Sequence, residues 1–451
     1  MDFIFDLARG LLGLATILGI AWLCSNNRTK TNWKMVGIGL LMQLVLAVFL
    51  LQGHALGDWF APLGWPKVVF GWISSIFVLV LNFTTDGAIF VFGNIAIPPE
   101  GGIEPGSPLV SGQSLGQSLA FQVLPTVIFF GSLMAVLYHL GIMQRVVQGM
   151  AFIVRRLLGT SGAESLSVAA NVFVGQTEAP LVIRPYLQRM TTSELMAIMT
   201  GGMATIAGGV LAAYVIFLGA PFAAVEGIAI DVAQLRFAEH LLGASVMAAP
   251  AALIIAKILV PETGKPETDG SVELSVGTPS KNVIDAAATG AGDGLKLALN
   301  IAAMLIAFLA LIALIDYVLN SGAGLFGGEL SLGRLFGWTF APLAWLIGVP
   351  WQDAMEFGSL LGIKVAANEF VAYLDLAQAI QAGSLEPKTV IMATFALCGF
   401  ANFASIAIQI GGIGPLAPSR RSEIAQLGLK AVLAGTLANL MTATMAGVMA
   451  T

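Results

Sequence analysis

The run Asn171-Val172-Phe173-Val174-Gly175-Gln176-Thr177-Glu178-Ala179-Pro180 interrupts an otherwise apolar stretch with an amide, a hydroxyl and a carboxylate in succession. Gly175 and Pro180 bracket the polar trio, and both disfavour a continuous helix. A carboxylate at membrane depth costs roughly 2.5–3.5 kcal/mol on insertion scales, so it must face a cavity or a partner. A second run, Ala367-Asn368-Glu369-Phe370-Val371-Ala372-Tyr373, repeats the device further along the chain. Each is followed by a similar heptad. Gly202-Met203-Ala204-Thr205-Ile206-Ala207-Gly208 follows the first, and Gly399-Phe400-Ala401-Asn402-Phe403-Ala404-Ser405 the second. Paired interrupted segments in two halves of a membrane chain point to a transporter's binding site.

Composition agrees. Of 451 residues, 57% are hydrophobic and 10% charged, against about 25% charged in soluble domains. The 52 glycines suit closely packed and broken membrane helices. A net charge of −5 leaves no basic footprint for nucleic acid. Cys24 and Cys398 sit in or beside apolar runs and read as core thiols, not a disulfide framework. His54, His139 and His240 are scattered without metal-ligand spacing. The start, with Asp2 and Asp6 and no basic region ahead of the apolar run, reads as a first span, not a signal peptide.

A span takes about 20 apolar residues. On that measure spans are expected at about 4–24, 35–52, 119–142, 193–218, 238–260, 296–318, 388–412 and 430–449. Arg28, Lys30 and Lys34 put the first loop in the cytoplasm and the N-terminus outside. Residues 68–98, broken by Asn82 to Gly87, can be read as a crossing or as an interfacial helix with a loop. Arg145, Arg155 and Arg156 after the next span favour the interfacial reading, because one crossing more would turn them outward. Residues 99–118 read as an exposed loop, and 219–237 as an outer one. Residues 163–187, closed by Arg184 and Arg189, read as a re-entrant hairpin opening to the cytoplasm. The region 335–364 supplies the arms of a second, opening outward. The polar stretch 261–282 reads as a cytoplasmic linker, followed by an amphipathic segment at about 283–293. The organisation expected is therefore a scaffold at 1–115, a first half at 116–260, the linker, and a second half at 283–451. In sum this is an all-α membrane protein of about eight spans and two hairpins, with inverted repeats and both termini outside.

The segments GQTEAP (175–180), NEFVAY (368–373) and CGFANFASIAIQIGGIG (398–414) resemble the signature motifs of the concentrative nucleoside transporter family, in the family's order, over about residue 115 to the end. With no extra spans ahead of this core, the chain looks more like bacterial members than animal ones. The resemblance implies a secondary active symporter that imports a nucleoside by alternating access, a homotrimer, and an inner-membrane location. It implies base contacts for Gln176 and Thr177, a water-linked contact for Glu178, and apolar contact with the base for Val210. Glu369, Asn402 and Ser405 match ribose-binding positions, and Phe400 lines the pocket. Asn171, Val174, Thr205 and Ile206 match the sodium site. Their chemistry fits: an amide carbonyl, a hydroxyl and backbone carbonyls are the hard oxygen ligands that sodium prefers. A carboxylate also suits a vicinal diol, since it accepts two hydrogen bonds.

Blander readings stand beside these. Gln, Thr and Asn can simply join helices by hydrogen bonds. Glu369 can pair with Lys364 one turn earlier. Some family members use protons, and Glu178 could carry one. A passive channel would lack gradient dependence. An intramembrane enzyme would need a nucleophile–base pair or a metal motif, and neither is evident.

Overall fold

The computed structural model describes residues 2–96, 119–268, 280–324 and 328–450. The expected loop at 99–118 and half of the expected linker (269–279) lie outside them. Among the described residues every regular element is helical.

Helices α1 (Asp2–Leu23), α2 (Trp33–Leu51), α3 (Gly53–Trp59) and α4 (Ala61–Phe92) come first. Two successive sets then follow the same plan. The first runs α5 (Leu119–His139), α6 (Ile142–Leu158), α7 (Gly162–Asn171), α8 (Thr192–Ala204), α9 (Gly208–Glu226) and α10 (Ile230–Leu259). The second runs α11 (Val283–Gly324), α12 (Leu332–Leu346), α13 (Ala354–Ala366), α14 (Glu369–Ala382), α15 (Pro387–Leu397), α16 (Phe403–Ile413) and α17 (Arg421–Met449). Each set has a long helix, a helix turned from it, an arm with a polar tip, a helix broken in the middle, and a long closing helix. This is the repeated layout anticipated from the two polar runs.

Several boundaries differ from the expectations. The interval 68–98 holds one helix, α4, whose length and apolarity suffice for a crossing. The outer loop expected at 219–237 shrinks to residues 227–229, because α9 and α10 continue into it. The amphipathic segment at 283–293 is the first part of the 42-residue α11. Residues 335–364 do not enclose the second polar tip. They lie within α12 and α13, which pack on each other, and the tip at Ala367-Asn368 joins α13 to α14. The second hairpin is therefore α13 and α14. Gly348, Pro350, Gln352 and Asp353 mark the turn where the arm begins.

Helix α6 was not anticipated. Gly141 turns the chain with φ 76°, and α6 leaves α5 at 79°. Its buried residues, Met143, Val147, Ala151, Val154 and Leu158, fall on one face at helical spacing. Arg155 and Arg156 stand in its last turn, beside the negative end of the helix.

Burial sorts the long helices. In α10 and α17, 89% of the most apolar window is buried, against 22% in α4 and 11% in α11. The first pair is the centre of the molecule, and the second shows its apolar surface outward. Helices α5 and α11 meet through glycine. A methyl on Gly131 would lie 2.7 Å from Gly290 O, and one on Gly294 2.8 Å from Ile128 Cα. Such close backbone approach is how membrane helices gain packing contact without a hydrophobic drive.

The base of the first hairpin is closed by a buried ionic cluster. Ser161 caps α7 in a reciprocal box with Glu164, and Thr191 caps α8 likewise with Glu194. Lys257 Nζ, at the end of α10, lies 2.8 Å from Glu164 and 3.2 Å from Glu262. The chain leaving α10 then folds back over α7. Gly162 N donates to Thr268 O (2.9 Å), and Ala163 N to Thr268 Oγ1 (3.1 Å).

Candidate functional site

Four helix breaks converge at the centre. The first polar tip spans residues 172–178, after α7, and the second is Ala367-Asn368. The other two breaks are Thr205-Ile206-Ala207, between α8 and α9, and residues 398–402, between α15 and α16. Broken helices expose orphan backbone groups and partial charges at their ends, which ligands can satisfy.

A chain of hydrogen bonds links three of these breaks, the two polar tips and residues 398–402. Tyr214 OH donates to Glu369 Oε1 (2.9 Å), and Asn402 Nδ2 to Glu369 Oε2 (3.0 Å). The other end of the Asn402 amide caps α16 by accepting from Ser405 N (2.8 Å). Ser405 Oγ accepts from Gln176 Nε2 (3.0 Å), and Gln176 Oε1 accepts from Gln409 Nε2 (3.0 Å). Gln176, Glu369, Asn402 and Ser405 are all buried. Residues more than two hundred positions apart are thereby brought to one place.

Asn368 has a local duty, since its Oδ1 accepts from Val371 N (3.0 Å) and caps α14. Lys364 does not pair with Glu369. Its ammonium donates to Ala396 O (2.8 Å) and Asn439 Oδ1 (2.7 Å), and Glu369 makes no ion pair among the described residues. Thr177 is half-buried and packs on α16, where a methyl at Gly412 would meet its Cγ2 at 2.5 Å. Glu178 is exposed and stands outside the hydrogen-bonded chain. Val210 is buried in the first turn of α9, one turn before Tyr214. Phe400 lies half-buried in the break ahead of α16.

The four cation candidates also gather. Asn171 Nδ2 donates to Ser167 O (3.1 Å), while its buried Oδ1 has no hydrogen-bond partner among the described residues. Thr205 ends α8 in extended conformation, and its hydroxyl donates to Gly201 O (2.9 Å), leaving its lone pairs free. A methyl on Gly201 would sit 3.5 Å from Asn171 Nδ2, and Thr205 bonds the carbonyl of the same glycine, so both side chains lie against Gly201. The Val174 and Ile206 carbonyls accept no backbone hydrogen bond among the described residues, and Gly208 N ties the two segments through Phe173 O (3.1 Å). A buried amide oxygen without a donor, with free carbonyls beside it, is a donor set that fits a hard monovalent cation. Among the described residues no cluster of His, Cys, Asp and Glu could hold a metal of another kind.

Three contributors escaped sequence reasoning, Tyr214, Gln409 and Asn439, and Lys364 takes partners other than the one expected. Asn439 Nδ2 donates to Ala204 O (2.7 Å) and Cys398 O (2.7 Å), joining α17 to both broken helices. Tyr214 stacks on Tyr373 with centroids 4.2 Å apart. A signal existed for two of them. Tyr214 follows Val210 by one turn, and Gln409 follows Ser405 by one turn, each on the face of a residue already singled out.

An all-helical bundle with repeated halves, re-entrant tips and polar helix breaks buried at its centre defines a secondary transporter. The chain belongs to the sodium-dependent nucleoside transporter family. Three family models cover it in order: the N-terminus of Na+-dependent nucleoside transporters matches residues 12–95, a nucleoside recognition region 120–221, and the transporters' C-terminus 240–447. The chain is 45% identical to the uncharacterized transporter YutK of Bacillus subtilis, over 97% of this chain and 98% of that protein. It is 40% identical to the nucleoside permease NupC of Helicobacter pylori, with 98% of both covered. Identity to the rat sodium/nucleoside cotransporter 1 is 38%, over 97% of this chain and 63% of that longer protein. The solved structure of CNTnw in an inward-facing, substrate-bound state superposes with a TM-score of 0.84 at 42% identity, with 98% of each chain covered. A variant of CNTnw in an outward-facing state matches as well, with a TM-score of 0.85. The match therefore concerns the fold, not one stage of a cycle. The family is one of transporters, so the chain is a multi-pass membrane transporter and not an enzyme.

Proposed function

We propose that the protein imports nucleosides by symport with a cation, and that the cation is sodium. One observation carries this reading. The hydrogen-bonded chain from Tyr214 through Glu369, Asn402 and Ser405 to Gln176 joins both polar tips to the second helix break, at the centre of the fold. A solute bound there would touch parts of both repeats, and their relative movement would carry it across.

The chemistry divides the site. Glu369, Asn402 and Ser405 offer a carboxylate, an amide and a hydroxyl, which suit the vicinal diol of a ribose. Gln176 and Thr177 offer polar contacts to a base, Glu178 adds one through water, and Val210 and Phe400 offer apolar surface. Sodium, as the co-transported ion, would take Asn171 Oδ1, Thr205 Oγ1 and the Val174 and Ile206 carbonyls. Because Gly208 N bonds Phe173 O, an ion there would brace the first tip against the α8–α9 break and so pre-order Gln176. That physical link is the proposed coupling of ion to solute.

The assembly proposed is a homotrimer in a bacterial inner membrane, with termini outside and residues 261–282 in the cytoplasm. The outward apolar surfaces of α4 and α11 support contact with lipid or with neighbouring copies. The arginines after α5 support an interfacial place for α4.

Uptake of radiolabelled uridine into proteoliposomes tests the reading, with an inward sodium gradient set against a sodium-free proton gradient. Sodium-driven uptake, lost in Glu369→Gln, is the expected result. Uptake driven by protons alone would overturn the sodium assignment and direct attention to Glu178. Uptake indifferent to either gradient would make the protein a facilitator.

A further inference from the structure

An amide has a donor end and an acceptor end, and its neighbours decide which end a solute meets. For Gln176 that decision traces back to a backbone carbonyl. Met199 O can only accept, so it turns the Gln409 amide to place Nε2 toward it, at 2.9 Å. The same Nε2 donates to Gln176 Oε1 at 3.0 Å, and Gln176 Nε2 then donates to Ser405 Oγ at 3.0 Å. Each link dictates the polarity of the next. Gln409 is fully buried, so water does not compete for it. The space it needs depends on Gly202, where a methyl would lie 2.8 Å from Gln176 Cβ and 3.0 Å from Gln409 Nε2. Its own Oε1 is buried without a hydrogen-bond partner among the described residues. Leaving a buried acceptor unmade is unfavourable, so the side chain is held in place for what its nitrogen does.

We propose that Gln409 is a positioning residue that sets base selectivity by fixing the Gln176 amide with its donor end toward the solute. The inference rests on the nucleoside reading and goes beyond it. Gln176 Nε2 carries two protons. One is committed to Ser405, and the other meets no acceptor among the described residues and is open to a base carbonyl such as O4 of uracil. Cytosine presents an amino group at that position, so two donors would face each other. The site thus favours bases whose edge carries a carbonyl over bases whose edge carries an amine.

The test is uptake of uridine and cytidine at equal concentration into proteoliposomes containing wild type or Gln409→Met, read as a ratio. The wild type is expected to prefer uridine. In Gln409→Met the Gln176 amide is free to turn, and the ratio is expected to fall about fivefold, the worth of one net hydrogen bond. Half-saturation by sodium is expected to stay unchanged, which a general loss of packing would not spare. Should Gln409→Met not yield folded protein, the same ratio is read in Gln409→Leu. An unchanged ratio in a variant that still transports overturns the proposal, as does a wild type that does not prefer uridine. A wild type that transports neither nucleoside overturns the nucleoside reading itself, and this inference with it.

Discussion

The two halves of the molecule use the same backbone device and complete it differently. In each, an arm ends at a polar tip beside a helix that stops at membrane depth. A helix C-terminus carries negative partial charge and favours a cation. The second half supplies that cation from its own chain: Lys364, fully buried on α13, reaches Ala396 O near the end of α15 and Asn439 Oδ1 on α17. Among the described residues the first half has no such residue at its break. There Asn171 Oδ1 is left without a donor, beside the end of α8. One break is therefore bonded by a built-in ammonium, and the other has oxygen atoms to spare. The contrast teaches that repeated architecture need not mean repeated chemistry: a lysine is bonded across one break, and the other holds an amide oxygen without a donor among the described residues.

The sharpest way to break this comparison is at the residue where the two halves meet. Glu369→Gln keeps the shape but removes the charge that accepts from Tyr214 and Asn402. Hydrogen bonds to a charged group are worth about 1.5–3 kcal/mol, so uridine uptake should fall roughly ten- to hundredfold. Retained uptake would mean that the second tip is only structural. Next, Lys364→Met strands two buried acceptors, at about 1–3 kcal/mol each. Thermal unfolding of the detergent-purified protein should begin at clearly lower temperature, and added sodium should not restore it. If sodium does restore it, the second break also accepts a soluble ion, and the contrast between the halves dissolves. The mirror experiment is Asn171→Ala. Half-saturation by sodium should weaken about tenfold, or about 1.4 kcal/mol, while stability in sodium-free buffer changes little. The smallest effect belongs to Ser161→Ala at the base of the first hairpin. Loss of that cap should cost about 1 kcal/mol in a stability measurement and leave sodium half-saturation unmoved.

What could be read from the chain alone follows from how polarity is distributed along it. Gln176, Glu178, Glu369 and Asn402 stand out because polar groups in apolar runs are costly, and with the matching heptads around Thr205 and Asn402 the repeat was visible before any coordinates. Partners were not. Lys364 could be placed near Glu369 by helical spacing, yet it turns to Asn439, 75 residues away. Gln409 meets Gln176 across 233 positions, a distance on which local patterning is silent. Boundaries failed where turn residues were passed over, as at Gly348 and Pro350 between α12 and α13, or where charge was read as part of a loop, as at Glu226 and Asp231, which stand in the end turns of α9 and α10. Glu178 is instructive in the other direction. It is as conspicuous in the sequence as its neighbours, but it is exposed and stands off the hydrogen-bonded chain.

The cluster at the base of the first hairpin has a mechanical meaning. Lys257 binds the foot of α7 to the foot of α10, and Thr268 holds the same foot from the segment beyond. To slide α7 along α10 would pull a buried ammonium from its carboxylate and uncap a helix in one motion. Arm and closing helix are thus riveted at that end and must travel as a single lever. Bending is left to the breaks nearer the middle, so the fulcrum of any stroke lies close to the place where the cargo would sit.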